Sequence, residues 1–218
     1  MKHNTAKTQT NLSGFLTLAL VALSLMVLQG CKDDDPKKED VPELITKATL
    51  TFTPNGGGAA VVVTATDADG EGVQDIKVDG PINLAANKTY VLTLGLINGL
   101  AATTAPEYNV ANEVEEEGDE HQFFFTWTNN TFSNPTGNGN VDNRSDAVNY
   151  TGAANSTDTN GRPLGLTTTW TSATPAGVTV LSGTFRVLLK HQPDLKSDTS
   201  DSNTGETDLD LTFTLNVQ

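Results

Sequence analysis

The chain has 218 residues, 36% of them hydrophobic, and its formal net charge at pH 7 is -14. Such an acidic surface repels nucleic acid and anionic lipid, so we expect no nucleic-acid partner. The spare carboxylates could hold hard cations, although most acidic surfaces only keep a protein soluble.

Residues 1–30 have the pattern of an export signal. Two lysines supply positive charge, an apolar run follows at residues 15–28, and Gly30 precedes the only cysteine, Cys31. The apolar run is shorter than the roughly 20 residues that a membrane-spanning helix needs, so it predicts a cleaved leader. A single cysteine also excludes an intramolecular disulfide.

The end of this leader resembles the lipobox of bacterial lipoproteins in Leu28, Gly30 and Cys31. The resemblance implies that signal peptidase II cleaves before Cys31 and that this cysteine carries the acyl chains. More than one chain makes membrane anchoring stable, because each buried CH2 contributes roughly 0.8 kcal/mol. The alternative is a soluble secreted protein whose cysteine is incidental.

Residues 31–43 join the leader to the domain. The segment 32–40 reads KDDDPKKED and has no apolar residue to bury, so it predicts a disordered tether. At roughly 3.3 Å per extended residue, the tether lifts the domain up to about 30 Å off the membrane. Its acidic run resembles the export tag of Bacteroidota surface lipoproteins. This resemblance implies an outer-membrane protein exposed on the cell surface, with the periplasmic face as the alternative.

From residue 44 to residue 218 the apolar residues recur with a period of two, which is typical of half-buried strands. Turns rich in glycine, asparagine and proline separate these segments. We predict strands at residues 48–53, 60–66, 76–78, 82–84, 90–96, 121–128, 164–170, 185–189 and 209–217.

Two stretches are less regular. Val110 and Val114 are spaced for a helical turn, but residues 113–120 carry six acids in eight positions, so we favour a solvated edge strand there. Residues 129–146 predict a long surface loop, followed by a short strand at residues 148–150. With about eight to ten strands and almost no helical pattern, residues 44–218 predict an all-β fold, an antiparallel β-sandwich of immunoglobulin-like or jelly-roll style.

Four segments of the domain together resemble a family of uncharacterised Bacteroidota lipoproteins. They are residues 44–54, 95–100, 116–125 and 183–196. Some members of that family carry a type 1 periplasmic-binding-fold label. That fold needs helices alternating with parallel strands, which this sequence does not predict. The resemblance therefore implies a location and a family, without an activity.

An acidic loop predicts a calcium site. Asp67, Asp69, Glu71 and Asp75 occupy positions 1, 3, 5 and 9 of a calcium-binding loop, with glycine at position 6. Position 12, which usually supplies a bidentate glutamate, is Val78. An ordinary acidic hairpin turn explains the same residues.

Two histidines predict a second metal site. His121 opens one predicted strand and His191 closes another, with Glu120, Asp119 and Asp194 close in sequence. If the two strands are antiparallel neighbours, both imidazoles emerge at the same end of the sandwich. Two nitrogens and a carboxylate there could hold zinc or copper. The alternative is a pair of surface histidines at strand ends.

The aromatic residues suggest either a core or a sugar-binding surface. Trp127 and Trp170 are in phase with the apolar faces of their strands, which favours core packing over a sugar-stacking platform. Tyr108, Phe132 and Tyr150 fall in or near predicted loops and are candidate contact residues.

The sequence contains none of the common catalytic motifs, so we do not expect an enzyme. We predict a non-catalytic binding or structural domain held to the membrane by acyl chains. The alternatives are an accessory glycan-binding protein of a nutrient uptake system, with a glycan or an outer-membrane protein as partner, and a calcium- or zinc-binding module.

Overall fold

The computed structural model describes residues 43–67, 69–70, 75–150 and 154–218, all of which belong to one unit of the chain. The leader, Cys31 and most of the predicted tether lie outside these residues. The strands are β1 (Lys47–Pro54), β2 (Val61–Thr66), β3 (Lys77–Val78), β4 (Ile82–Leu84), β5 (Thr89–Ile97), β6 (His121–Trp127), β7 (Phe132–Asn134), β8 (Thr167–Ser172), β9 (Leu181–His191) and β10 (Glu206–Val217). One short helix, α1 (Val110–Glu116), follows a 3-10 turn at Pro106–Tyr108.

The strands form two sheets, which confirms the predicted all-β sandwich. The six-stranded sheet has the order β3-β2-β1-β5-β8-β7, and the four-stranded sheet has the order β4-β10-β9-β6. Every pairing between these described strands is antiparallel except that of β4 with β10, which is parallel. The chain passes from the first sheet to the second between β3 and β4, and this crossover puts β4 beside the last strand.

The core lies between the two sheets. Trp170 of β8 packs edge-on against Trp127 of β6, with ring centroids 5.2 Å apart, and against Phe185 of β9 at 5.1 Å. Both tryptophans are fully buried, so the prediction of core packing is confirmed. The indole nitrogen of Trp170 donates a hydrogen bond to Thr168 Oγ1 at 2.7 Å, which satisfies its one polar atom.

The predicted edge strand at residues 113–120 is wrong, because helix α1 occupies the start of this stretch. Val110 and Val114 lie one helical turn apart, and both are buried against the sandwich. Their burial decides the local structure, since tertiary packing outweighs the weak preference of a charged segment. No helix in the described part of the chain has the length and the apolar character to span a membrane.

The predicted strand at residues 148–150 is also wrong. Tyr150 is buried, and its hydroxyl donates a hydrogen bond to the backbone carbonyl of Phe123 at 2.6 Å. Asn140 Oδ1 accepts from the Phe125 amide at 2.9 Å, while backbone carbonyls of Leu164 and Asn138 accept from Phe123 and Trp127, so side chains and backbone together cover the outer edge of β6. The loop also contains the short strand β7, which the sequence did not predict.

Candidate functional site

The inward-facing rows of β6 and β9 end in histidine. On β6 the row runs from Trp127 back to His121, and on β9 it runs from Phe185 to His191, with large apolar residues between. The two strands are antiparallel neighbours, and His121 lies directly opposite His191. Their rings stack with centroids 4.6 Å apart and an interplanar angle of 5°.

Both imidazoles are enclosed by the fold. The side chain of His121 is 0% exposed and that of His191 is 6% exposed. His121 Nδ1 lies 3.2 Å from the backbone carbonyl of Glu117, a contact in which the protonated ring nitrogen donates. This arrangement holds the ring and leaves Nε2 facing the carboxylates.

Three carboxylates approach the Nε2 atoms. Asp208 Oδ2 lies 3.7 Å from His121 Nε2, and Glu43 Oε1 lies 3.9 Å from the same nitrogen. Glu120 Oε2 lies 3.6 Å from His191 Nε2. These separations exceed ordinary hydrogen-bonding distance but are short enough for strong electrostatic attraction to a positive charge between them.

Asp208 reaches the interior through a β-bulge in β10. Thr207 pairs with Lys190 and Leu209 pairs with Leu189, so Asp208 is the extra residue. A bulge of this kind re-aims one side chain out of the strict alternation of the strand. Gly205, the residue before β10, has a φ of 76°, and a Cβ atom there would collide with the backbone of His191.

The carboxyl group of Asp208 is fully buried. Neither of its oxygens makes a hydrogen bond of normal geometry with the described part of the chain. Burial raises the pKa of Asp208 to about 6, against the lowering effects of the His191 charge and of the Glu43 backbone. The protein therefore maintains an acidic group next to the histidines at a cost to its stability.

Helix α1 and the residue that follows it bring two further glutamates, Glu113 and Glu117, to this end of the sandwich. Oxygens of Glu43, Glu113 and Glu117 lie within 4.8 Å of one another, and one oxygen of Glu117 is equally close to a nitrogen of each histidine. The last turn of α1 has no basic residue. Carboxylates at the C-terminal end of a helix are unfavourable, because the helix dipole is negative there.

Lys196 fixes the backbone behind the histidines. Its ammonium group donates hydrogen bonds to the carbonyls of Gly118 at 2.6 Å and His121 at 2.7 Å. It also lies 3.1 Å from Asp158 Oδ2, and both side chains of this ion pair are buried. The connection between β9 and β10 is thereby held against the first residue of β6.

The sequence identified part of this site. The structure brings His121 and His191 together and places Glu120 beside them, whereas Asp119 and Asp194 are exposed. It adds four acidic residues that sequence reasoning missed: Glu43, Glu113, Glu117 and Asp208. The E-x3-E-x3-H spacing of residues 113–121 was a usable signal, but the bulge that turns Asp208 inward leaves no mark in the sequence.

The predicted calcium loop is only partly described. Glu71 lies outside the described residues. The carboxylate of Asp67 accepts hydrogen bonds from the backbone amides of Asp69 at 3.2 Å and Gly70 at 3.1 Å, and Asp75 is exposed. These bonds shape a turn, and the calcium site remains a prediction.

The predicted contact residues of the loops are mostly inaccessible. Phe132 and Tyr150 are buried, which makes that prediction wrong for both, and Tyr108 is half-buried. A cleft of about 470 Å³ lies beside β6. Arg162 pairs with the carboxylate of Asp198, and Arg144 donates a hydrogen bond to the Asp198 backbone carbonyl. The ring of Phe124 in the wall is buried, so it offers no exposed surface for stacking.

No protein-family model matches the chain, and no curated protein matches it either.

Proposed function

We propose that the protein is a lipid-anchored component of a bacterial envelope, and that its β-sandwich is a non-catalytic binding or structural domain. The observation that carries this proposal is the position of Cys31, the only cysteine, directly after an apolar run of leader length. A lone cysteine at that position has a chemical role in lipid attachment and no role in a disulfide.

The fold is compatible with this function. The domain begins with β1 at Lys47, a short distance after the charged segment 32–40, so little chain separates it from the proposed anchor. The protein would present its loops away from the membrane at the end of this tether. The acidic run in the segment supports transfer to the outer surface of the outer membrane.

Lipid attachment is tested by expressing the full chain in a bacterium that processes lipoproteins. The expected mass is that of a chain starting at Cys31 plus acyl groups, and the protein should partition into the detergent phase. Cys31→Ser should yield uncut, unacylated chain, and an inhibitor of signal peptidase II should block processing of the wild type. An intact leader with a bare Cys31 thiol in the wild type would overturn the proposal.

Surface exposure is tested separately with protease on intact cells. Degradation of the domain without cell lysis is expected for the outer surface. Protection in intact cells, with degradation only after lysis, would place the domain on the periplasmic face and refute the surface assignment.

A further inference from the structure

We propose that Glu117, His121 and His191 bind one divalent transition-metal ion, zinc or copper(II), at the end of the sandwich. This inference rests on the proposal that the domain is a binding domain. It makes that proposal more specific, because it names a class of ligand. Its test uses purified protein and does not depend on the lipid.

The first argument is the placement of the ligand atoms. One nitrogen from each histidine and one oxygen of Glu117 lie within 4.8 Å of one another. A tetrahedral zinc ion with ligand bonds of about 2.0–2.1 Å holds its ligand atoms about 3.3 Å apart. A bound ion would therefore draw the ligand atoms closer together and tilt the stacked rings so that both nitrogens point at it.

The second argument is the identity of the ligands. Imidazole nitrogen with carboxylate oxygen suits zinc and copper(II), whereas calcium and magnesium prefer oxygen alone. The contact of His121 Nδ1 with the Glu117 carbonyl is the outer-shell interaction that orients a metal-binding imidazole. Nε2 of His121 is the nitrogen that faces the carboxylates of Asp208 and Glu43.

The third argument is the surplus of negative charge. Glu43 and Asp208 both approach His121 Nε2, and the carboxyl group of Asp208 is fully buried. Carboxylates this close together repel one another, and a bound cation would turn this repulsion into attraction. Asp208 and Glu43 would then either bind the ion directly or neutralise its charge without binding it.

The position of the cluster also allows an ion to enter. Glu43 and Glu120 are 12% and 37% exposed at the rim, while the histidines lie just inside. An ion can therefore pass from solvent to the imidazoles between acidic side chains. On the side facing the core, the inward-facing apolar residues of β6 and β9 close the site.

The test uses the full chain, purified in detergent without a polyhistidine tag and stripped with a chelator. Zinc sulfate and copper(II) sulfate are titrated in separate calorimetric experiments at pH 7.5, and the melting temperature is measured with and without each ion. One ion per chain and a higher melting temperature are expected for at least one of the two metals. Binding of copper alone would identify copper as the ion, and its electron paramagnetic resonance should then show coupling to imidazole nitrogen.

Matched variants locate the site. His191→Gln and Glu117→Gln should each weaken metal affinity by more than about tenfold, since even outer-shell substitutions cost that much. Glu116→Gln, which changes an exposed neighbour, should leave affinity unchanged. Because Glu117→Gln is nearly isosteric, it keeps the test usable if the histidine variant fails to fold.

Three results would overturn the inference. One is a wild-type chain that binds neither metal at millimolar concentration. Another is metal binding that survives both His191→Gln and Glu117→Gln. The third is loss of binding in Cys31→Ser alone, which would assign the metal to the Cys31 thiol, while the mass of the chain tests the lipid proposal separately.

Discussion

The middle and the end of the sandwich interior are built on the same strands but contain opposite chemistry. In the middle, inward positions of β6, β8 and β9 carry Trp127, Trp170 and Phe185, whose rings pack edge to face. At the end, the same rows of β6 and β9 close with His121 and His191, beside the buried carboxylate of Asp208. The side chains point into the sandwich in both regions. The backbone would therefore accept apolar residues at the positions of His121 and His191 as well.

The difference separates stability from function. Burying aromatic rings stabilises the fold by removing apolar area from water. Burying imidazoles with carboxylates costs solvation energy, which apolar residues at the same positions would avoid. The change from aromatic to ionisable residues within one row is the reason that we propose a ligand site at this end of the interior.

The largest expected effect comes from the aromatic middle. Trp170→Ala should lower the free energy of unfolding by about 3–5 kcal/mol, because it leaves a cavity among fully buried rings. Urea denaturation followed by circular dichroism measures this. Leu100→Ala, at a side chain that is 62% exposed, is the control and should change stability by less than about 0.5 kcal/mol. Equal effects of the two substitutions would contradict the proposed core.

The next effect comes from the ion pair behind the histidines. Lys196→Met should lower the free energy of unfolding by about 3 kcal/mol, because it leaves the buried Asp158 carboxylate without its cation. The double variant Lys196→Met with Asp158→Asn should recover part of this loss, because it removes the buried charge and keeps an oxygen for the Asn160 and Arg162 amides. If the double variant is no more stable than the single one, the pair does not explain the cost.

A smaller effect of opposite sign is expected at Asp208. Its pKa of about 6 in the folded protein lies above the unfolded value of 3.8, so the folded state binds more protons between these values. The stability of the metal-free protein should therefore fall as pH rises from about 4 to 6, and the full penalty remains above pH 6.

Asp208→Asn should remove this penalty and stabilise the metal-free protein at pH 7.5 by about 2 kcal/mol. Urea denaturation at pH 4.5 and pH 7.5 in the presence of a chelator tests this, and the difference between variant and wild type should shrink at the lower pH. A variant that is less stable than the wild type at pH 7.5 would show that the Asp208 carboxylate is compensated in the fold.

The smallest effect is expected on the outer surface. Arg186 forms two hydrogen bonds of 2.7 Å with Asp210, but both side chains are more than a third exposed. Arg186→Ala should cost less than about 1 kcal/mol, and added salt should reduce the cost further. If Arg186→Ala lowers the free energy of unfolding as much as Lys196→Met, the proposed difference between buried and exposed ion pairs is wrong.

The strands were predictable because their apolar residues alternate over long segments. Leu209, Leu211 and Phe213 point into the core as the period of two requires, and the pairing of His121 with His191 followed from placing two strands as neighbours. Helix α1 was missed because the acidic composition of residues 113–120 favoured a solvated strand. The burial of Val110 and Val114 against the core outweighs that composition. The predicted strand at Tyr150 failed because that side chain is needed to saturate the edge of β6.

The carboxylate half of the site was beyond sequence reasoning. Glu43 lies at the end of a segment predicted to be tether, yet its side chain is only 12% exposed. Asp208 should point outward by the alternation of β10, and only the bulge reverses it. Both positions depend on tertiary contacts between segments distant in sequence, which a local pattern cannot specify.

The most direct measurement of the central claim is X-ray absorption at the zinc edge of the zinc-loaded protein. We predict a first shell of nitrogen and oxygen at about 2.0–2.1 Å, with multiple scattering from two imidazole rings that falls to one in His191→Gln. A shell of oxygen alone, or a sulfur ligand at about 2.3 Å, would contradict the assignment of the histidine end of the sandwich as the metal site.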